Sequence, residues 1–225
     1  MATLLELDGN RIFELEKPSR SLADQVELGV TQTAPAGKTI VIEGDPIDHY
    51  FRIVSGSVRL YKSVIDGRRQ IIDFLGPNEC FGLIGLSTHA YSAEAISDVV
   101  MIRYSRRRLD DSIEDEPALS NQLFRLACAE LDQAQQRMLL LGRKSAEERL
   151  ASFLIDLAGR QETTNLHLAM SRQDIADYLG LTIETVSRLF TRFKRAGLID
   201  LPDRHSVVVQ DGVELADLAD GCFAE

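Results

Sequence analysis

The sequence predicts an α+β chain: an N-terminal antiparallel β-roll, one long helix, and a C-terminal helical domain closed by a small hairpin. Three observations carry this expectation. Residues 35–105 hold short runs rich in Val, Ile, Phe and Tyr with turn residues between them. From about Pro117 the apolar spacing becomes a heptad. Beyond residue 143, cap signals mark a series of short helices. The expected boundaries are 1–115 for the roll, 116–142 for the long helix and 143–225 for the C-terminal domain.

The strand runs are "KTIVI", "HYFRIVS", "SVRLYKSV", "RQIIDFLG" and "DVVMIRYS". Gly37, Gly44-Asp45-Pro46, Gly56, Asp66-Gly67 and Gly76-Pro77-Asn78 separate them. Short strands at this spacing suit a roll or barrel, and Asp66-Gly67 is a hairpin signal. Residues 1–34 are less legible; "SLADQVEL" suits a short helix.

The long helix begins at Pro117, behind Asp115 and Glu116, and ends near Gly142. Ser120, Phe124, Ala127, Leu131, Ala134, Met138 and Leu141 recur at alternating intervals of four and three, a seam that suits a two-helix contact between copies of the chain. The spacing alone serves equally for a helix packed on its own barrel. The polar flanks Gln133, Gln135, Gln136 and Arg137 point towards the dimer.

Bulk properties narrow the function. The chain has 225 residues, 44% hydrophobic, with a net charge of -10. That charge argues against a protein that coats nucleic acid without regard to sequence. Within 182–196, however, Arg188, Arg192, Lys194 and Arg195 face a single acid, Glu184. An acidic body with one basic element fits a site-specific binder. No apolar run reaches the ~18–20 residues of a membrane span. "MATLLELDGN" lacks the basic start of a secretory signal, so a cytoplasmic protein is expected. Cys80, Cys128 and Cys222 are few and scattered, which predicts reduced thiols, no disulfide framework and no zinc pair.

The C-terminal domain is the most informative part. "SAEERLASFLIDLAG" starts with a capping box, Ser145 and Glu148, and closes on Gly159. "LHLAM" reads as a strand. A second box, Ser171 with Asp174, opens "SRQDIADYLG", and Thr182 caps the next helix, which stops at Gly197. "LIDL" and "SVVVQ" flank Pro202-Asp203 as a hairpin, and the final ten residues read as peripheral. Residues 172–191 match a helix-turn-helix position by position: Ile175 and Leu179 buried, Ala176 at the crossing, Gly180 at the turn, Val186 and Leu189 facing back. With the hairpin, this is a winged helix-turn-helix.

At 100° per residue, Ser187, Arg188, Thr191, Arg192 and Arg195 fall within about 80° of Glu184, and Ile183, Val186, Leu189, Phe190 and Phe193 fall opposite. Glu184, Ser187 and Arg188 therefore share the front turns of the second helix, the part that reaches base edges in such motifs. Glu184 could merely favour the helix dipole or pair with Arg188. It could instead accept from cytosine N4 while Arg188 donates to guanine O6 and N7 of the same base pair. Surrounding hydroxyls and cations, Ser171, Arg172, Thr182, Thr185, Thr191, Arg192 and Arg195, are candidates for phosphate contacts. Nothing points to a catalytic or metal site.

On these residues the chain resembles the CRP/FNR superfamily of bacterial transcription factors. "AEERLASFL" and "MSRQDIADYLGLTIETVSRLF" are similar to its FNR and FixK branch. The resemblance implies a cyclic-nucleotide-binding-like roll, a dimerisation helix and a winged helix-turn-helix. It implies that an E-x-x-S-R array, here Glu184, Ser187 and Arg188, recognises TTGAT-N4-ATCAA. It further implies double-stranded DNA, a second copy and RNA polymerase as partners, and an activator working in oxygen-limited respiration or nitrogen fixation.

Departures from the family pattern predict what the roll does not sense. In "CFGLIGLSTHAYSAEA" the family's ribose-binding Glu is replaced by Leu83 and its phosphate-binding Arg by Tyr91; only Ser92 remains. A buried phosphate left unpaired costs about 2–5 kcal/mol, so cyclic-nucleotide control is not expected, and Gly82 and Gly85 would serve turns. Three dispersed thiols cannot supply the four ligands of an FNR-type iron–sulfur cluster. A redox-reactive cysteine of some relatives is Ser187 here, and Cys128, beside the seam, is expected to be buried and inert. The expectation is no cofactor. The alternative is a haem- or nitric-oxide-responsive regulator of the same kind of DNA site, with His49 or His89 as ligand, although both read as surface loop histidines. His167 and His205 belong to the DNA-binding domain.

Overall fold

The structure, a computed structural model, describes residues 29–64, 67–83, 87–115 and 117–221. The short helix expected within 21–28, together with Asp66, Gly85 and Cys222, lies outside them. Two compact units divide the chain between Ala134 and Gln135.

Among the described residues, the first unit holds eight strands: β1 (Val30–Ala34), β2 (Thr39–Val41), β3 (His49–Ser55), β4 (Val58–Ser63), β5 (Arg69–Leu75), β6 (Cys80–Phe81), β7 (Ser92–Ala95) and β8 (Val99–Ser105). They form two antiparallel sheets, β1-β8-β3-β6 and β2-β7-β4-β5. Alternate residues of β3, β4 and β8 point inward, so Ile53, Val58, Leu60, Val99 and Met101 meet Phe81, Ala93 and Ala95 in one core. On the other face Tyr50 stacks on Tyr104 at 4.9 Å between ring centres. Leu83, Leu109 and Leu119 complete that second core. Leu109 comes from α1 (Arg106–Asp115) and Leu119 from the start of α2 (Pro117–Arg143).

Four elements escaped the sequence pattern. β1 reads "VTQTA", with little apolar signal; its place comes from backbone pairing with β8, Val30 opposite Arg103 through Ala34 opposite Val99. β6 and β7 are too short for periodicity to register. Helix α1 follows β8 without a break and has no acid in its first turn. Gly142 does not stop α2, which runs on to Arg143.

His89 departs from expectation. It is buried, at 6% exposure, because the loop carrying it folds back: its N–H donates to Asp45 O and its carbonyl accepts from Gly44. Burial lowers its pKa, against an opposing pull from Asp45 and Asp48. A neutral buried histidine binds fewer protons than the unfolded chain. Its contribution to stability is therefore full above the ordinary value of about 6.5 and is lost as pH falls below it. The stability difference between wild type and His89→Gln in urea should shrink between pH 7.5 and 5.5; a difference independent of pH would show that His89 is not held neutral.

The second unit holds α3 (Ala146–Gln161), β9 (Asn165–His167), α4 (Arg172–Leu179), α5 (Ile183–Arg195), β10 (Ile199–Asp200), β11 (Ser206–Val209) and α6 (Gly212–Ala219). Both capping boxes form: Ser145 with Glu148, and Ser171 with Asp174. Helix α3 runs two residues past Gly159 and ends at Glu162, which takes the left-handed conformation. The three strands pair in the order β10-β11-β9. The described part of the final stretch is not peripheral: α6 buries Leu215, Leu218 and Ala219, and Lys144 donates to Ala219 O at 2.8 Å.

Candidate nucleic-acid interface

Helices α4 and α5 meet at a tight turn. Gly180 has φ of +63°, and Leu181 N donates to Ala176 O at 3.0 Å. Thr182 then caps α5, its hydroxyl accepting from Thr185 N at 3.2 Å. Ile175, Ala176 and Leu179 of α4, and Val186, Leu189, Phe190 and Phe193 of α5, are buried. That contact fixes which side of α5 faces outward. Glu184, Ser187, Arg188, Thr191, Arg192 and Arg195 are all exposed, and all but Glu184 line one shallow depression.

Glu184 stands at the front of this face. Its carboxyl is held below the usual carboxylate range by the amide of its own residue, by the Thr182 hydroxyl and, less, by the charge of Arg188. It is thus an anion, able only to accept. Among the described residues, Arg188 makes no hydrogen bond or ion pair. An acceptor and an unengaged five-donor fork therefore project from adjacent turns.

The other cations divide by what they already hold. Arg192 pairs with Glu147 of α3. Lys194 pairs with Asp200 at 2.8 Å. Arg195 has no ion pair among the described residues. Arg172, expected at phosphate, lies over Phe190 with its guanidinium carbon 3.3 Å from the ring centre. Burial lowers its pKa to about 10, and its Nη1 is buried without a hydrogen-bond partner. In this conformation Arg172 stacks between α4 and α5. Ser171 is exposed and engaged in its cap with Asp174. Thr182 and Thr185 share a 3.1 Å contact, and Thr191 Oγ1 donates to Ser187 O.

Two residues of this surface were not foreseen. Ile183 was placed on the anchoring face, yet it is 37% exposed beside Glu184, because the first turn overhangs the core. Arg204 stands exposed at the tip between β10 and β11, where Asp203 accepts from His205 N and Ser206 Oγ. A cation inside a Pro-Asp turn was the available signal.

The seam residues of α2 are also on the surface. Phe124, Leu131 and Met138 are 69%, 59% and 73% exposed. Ser120 and Ala134 are exposed, and Ala127 and Leu141 half-buried. Leu139 adds a further exposed apolar side chain. Cys128, expected to be buried, is exposed. Cys80 is the inert thiol, pushed up to about 11 by burial.

Inside the roll, Tyr91 occupies the degenerate cassette. Its hydroxyl accepts from Gly82 N at 2.9 Å, and burial pushes its pKa up to about 12. Leu83 is buried. Ser92 Oγ accepts from Glu43 N at 3.0 Å. A side chain at Gly82 would come within 3.2 Å of His89 and 3.3 Å of His49 O. The cassette's amide and hydroxyl are therefore engaged within the chain. No described helix is long and apolar enough to cross a membrane.

Comparison with known proteins converges on one family. Residues 148–218 match the Crp-like helix-turn-helix domain and 31–116 the cyclic nucleotide-binding domain. The nitrogen fixation regulation protein FixK of Azorhizobium caulinodans is 42% identical over 204 residues, 88% of this chain and 81% of that protein. The transcriptional activator protein FnrL of Cereibacter sphaeroides is 35% identical over 210 residues, 89% of this chain and 85% of that protein. The structure of FixK2 from Bradyrhizobium japonicum superposes with a TM-score of 0.82 at 34% identity, covering 85% of this chain and 97% of that one. The chain belongs to the CRP/FNR family of transcription regulators, in its FixK-like branch: a DNA-binding regulator and not an enzyme.

Proposed function

We propose that the protein is a FixK-like activator that binds TTGAT-N4-ATCAA-type palindromes as a homodimer. The observation that carries this is the front of α5, where Glu184, Ser187 and Arg188 project together from a helix anchored by its opposite face. Glu184 accepts from cytosine N4 and Arg188 donates to guanine O6 and N7 of the single G·C pair in each TTGAT. Ser187 flanks them, and Ile183 is placed to touch a thymine methyl. Ser171, Thr182, Thr185, Thr191, Arg192 and Arg195 hold phosphates and set register. Arg172 joins them only by leaving Phe190, and Arg192 only by leaving Glu147.

Residues 116–142 act as the dimerisation helix between a roll, 1–115, and a DNA-binding domain, 143–225. Exposed Phe124, Leu131 and Met138 support this, since a seam of large apolar side chains is costly to leave in water. Two-fold symmetry of the pair matches the palindrome. The roll binds neither cyclic nucleotide nor iron–sulfur cluster. Support comes from Tyr91 and Leu83 in the cassette and from thiols too few for a cluster. Control then lies in how much protein is made, and RNA polymerase is the partner at the promoter, in oxygen-limited respiration or nitrogen fixation.

The test is binding to TTGAT-N4-ATCAA duplex in air, with and without cyclic AMP. Tight binding unaffected by the nucleotide is expected; dependence on it would overturn the effector-free reading. A haem-reconstituted sample with a Soret band lost on His89 or His49 substitution would do the same for haem. Glu184→Gln should relax discrimination at the cytosine by roughly ten- to a hundredfold. Unchanged base preference would return Glu184 to a helix-capping role.

A further inference from the structure

We propose that Arg149 fixes the distance between the two reading helices of the dimer, and so the spacer length accepted between half-sites. This rests on the palindromic reading above. Arg149 sits in the first turn of α3 and donates to three backbone carbonyls on three segments. Its Nε reaches Lys144 O at 3.0 Å, Nη1 reaches Leu179 O at 2.9 Å and Nη2 reaches Leu141 O at 2.8 Å. Leu141 belongs to the last turn of α2, Leu179 ends α4, and Lys144 lies in the link between α2 and α3. The last carbonyls of a helix have no partner within it and carry partial negative charge. One cation thus ties two helix ends and a link together. A planar fork holds its donors on separate atoms in fixed directions, whereas a lysine ammonium carries all of its donors on one atom.

A second contact acts beside it. Arg137 of α2 lies over the ring of Tyr178 of α4, 5.6 Å from its centre. Tyr178 in turn packs on Phe153 of α3 at 5.7 Å. Gly180 lies beside this junction: a Cβ there would make ordinary contact with Arg149 Nη1 at 3.5 Å and Leu141 Cδ2 at 3.6 Å. The last two turns of α2 are therefore held to α4 at two places. Helix α4 is locked to α5 by the buried contacts described above. The direction of α5 is then set relative to the last two turns of α2, which carry Met138 and Leu141. One added base pair moves a half-site by about 3.4 Å and turns it by roughly 35°. A stiff link penalises that displacement, and a loose one tolerates it.

The test measures affinity for TTGAT palindromes with three, four or five spacer base pairs, in wild type and Arg149→Lys. Hydrogen exchange of amides 138–143 and 179–182 is followed in parallel. Wild type should favour four base pairs. Arg149→Lys should reduce that preference about tenfold or more, as expected for lost hydrogen bonds to a charged donor, and exchange at both segments should quicken. Discrimination against a changed G·C pair within a half-site should stay as in wild type. A folded Arg149→Lys protein with wild-type spacer preference and wild-type exchange overturns the proposal. If wild type prefers no spacer, the palindromic reading fails instead, and unchanged exchange alone overturns the link. Should Arg149→Lys not fold, Arg137→Gln decides by the same two readouts; no change in either overturns the proposal.

Discussion

Replacing Arg188 by alanine is expected to abolish sequence-specific DNA binding while leaving weak, salt-sensitive binding in place. Among the described residues Arg188 has no partner within the chain, so its removal leaves no buried group unsatisfied and should not unfold the helix. What is lost is a bidentate contact worth about 1–3 kcal/mol at one base pair. A dimer on the palindrome would lose it twice. The combined loss is about 2–6 kcal/mol, or roughly 30-fold to 20,000-fold in affinity for the palindrome. Phosphate contacts are independent of sequence and respond to counterions. Affinity for an unrelated duplex, and its steep dependence on salt, should therefore change little. Titrations on the palindrome and on a scrambled duplex at two salt concentrations distinguish this from general loss of fold. Equal loss on both duplexes would assign Arg188 to phosphate.

Leu131→Glu should convert the protein to a monomer at micromolar concentration. Leu131 is 59% exposed in the single chain and lies midway between Phe124 and Met138 on the same stripe. Packing it against its counterpart removes two leucine side chains from water, each worth about 1.5–3 kcal/mol when fully buried. The substitution forfeits both and places two carboxylates face to face, at about 3–5 kcal/mol for each buried unpaired charge. A fall of a thousandfold or more in the dimer constant follows from these magnitudes. Sedimentation measures it directly. Binding to the full palindrome should fall with it, because each monomer then holds one half-site alone. A Leu131→Glu protein that remains dimeric would place the interface elsewhere.

The placement of the base-reading candidates was legible because helical angle is a local property. Buried and exposed sides of α5 follow from residue order once the caps and the turn glycine are recognised. Ile183 shows the limit of that rule: its angle placed it inward, but a first-turn residue overhangs whatever the helix packs on. The cations show another. Arg192 and Lys194 counted as free positive charge in the sequence, yet Glu147, 45 residues away, and Asp200 engage them. Arg172 was expected to meet phosphate as a cation near the reading helix; Phe190 drew it into a stack instead.

Local patterns by themselves determined the α+β class, the capping boxes at Ser145 and Ser171, the turn at Gly180 and the amphipathic order of α5. Each depends on neighbours within one or two turns of chain. Tertiary structure alone decided the rest. β1 is a strand because β8 offers it partners, His89 is buried because its loop folds back, and α6 is core because α3 presents an apolar face. Arg149 reads as one more helix-surface cation until Leu141, Lys144 and Leu179 are brought around it. Such features come from which distant groups meet, and chain order records only which groups are near in sequence.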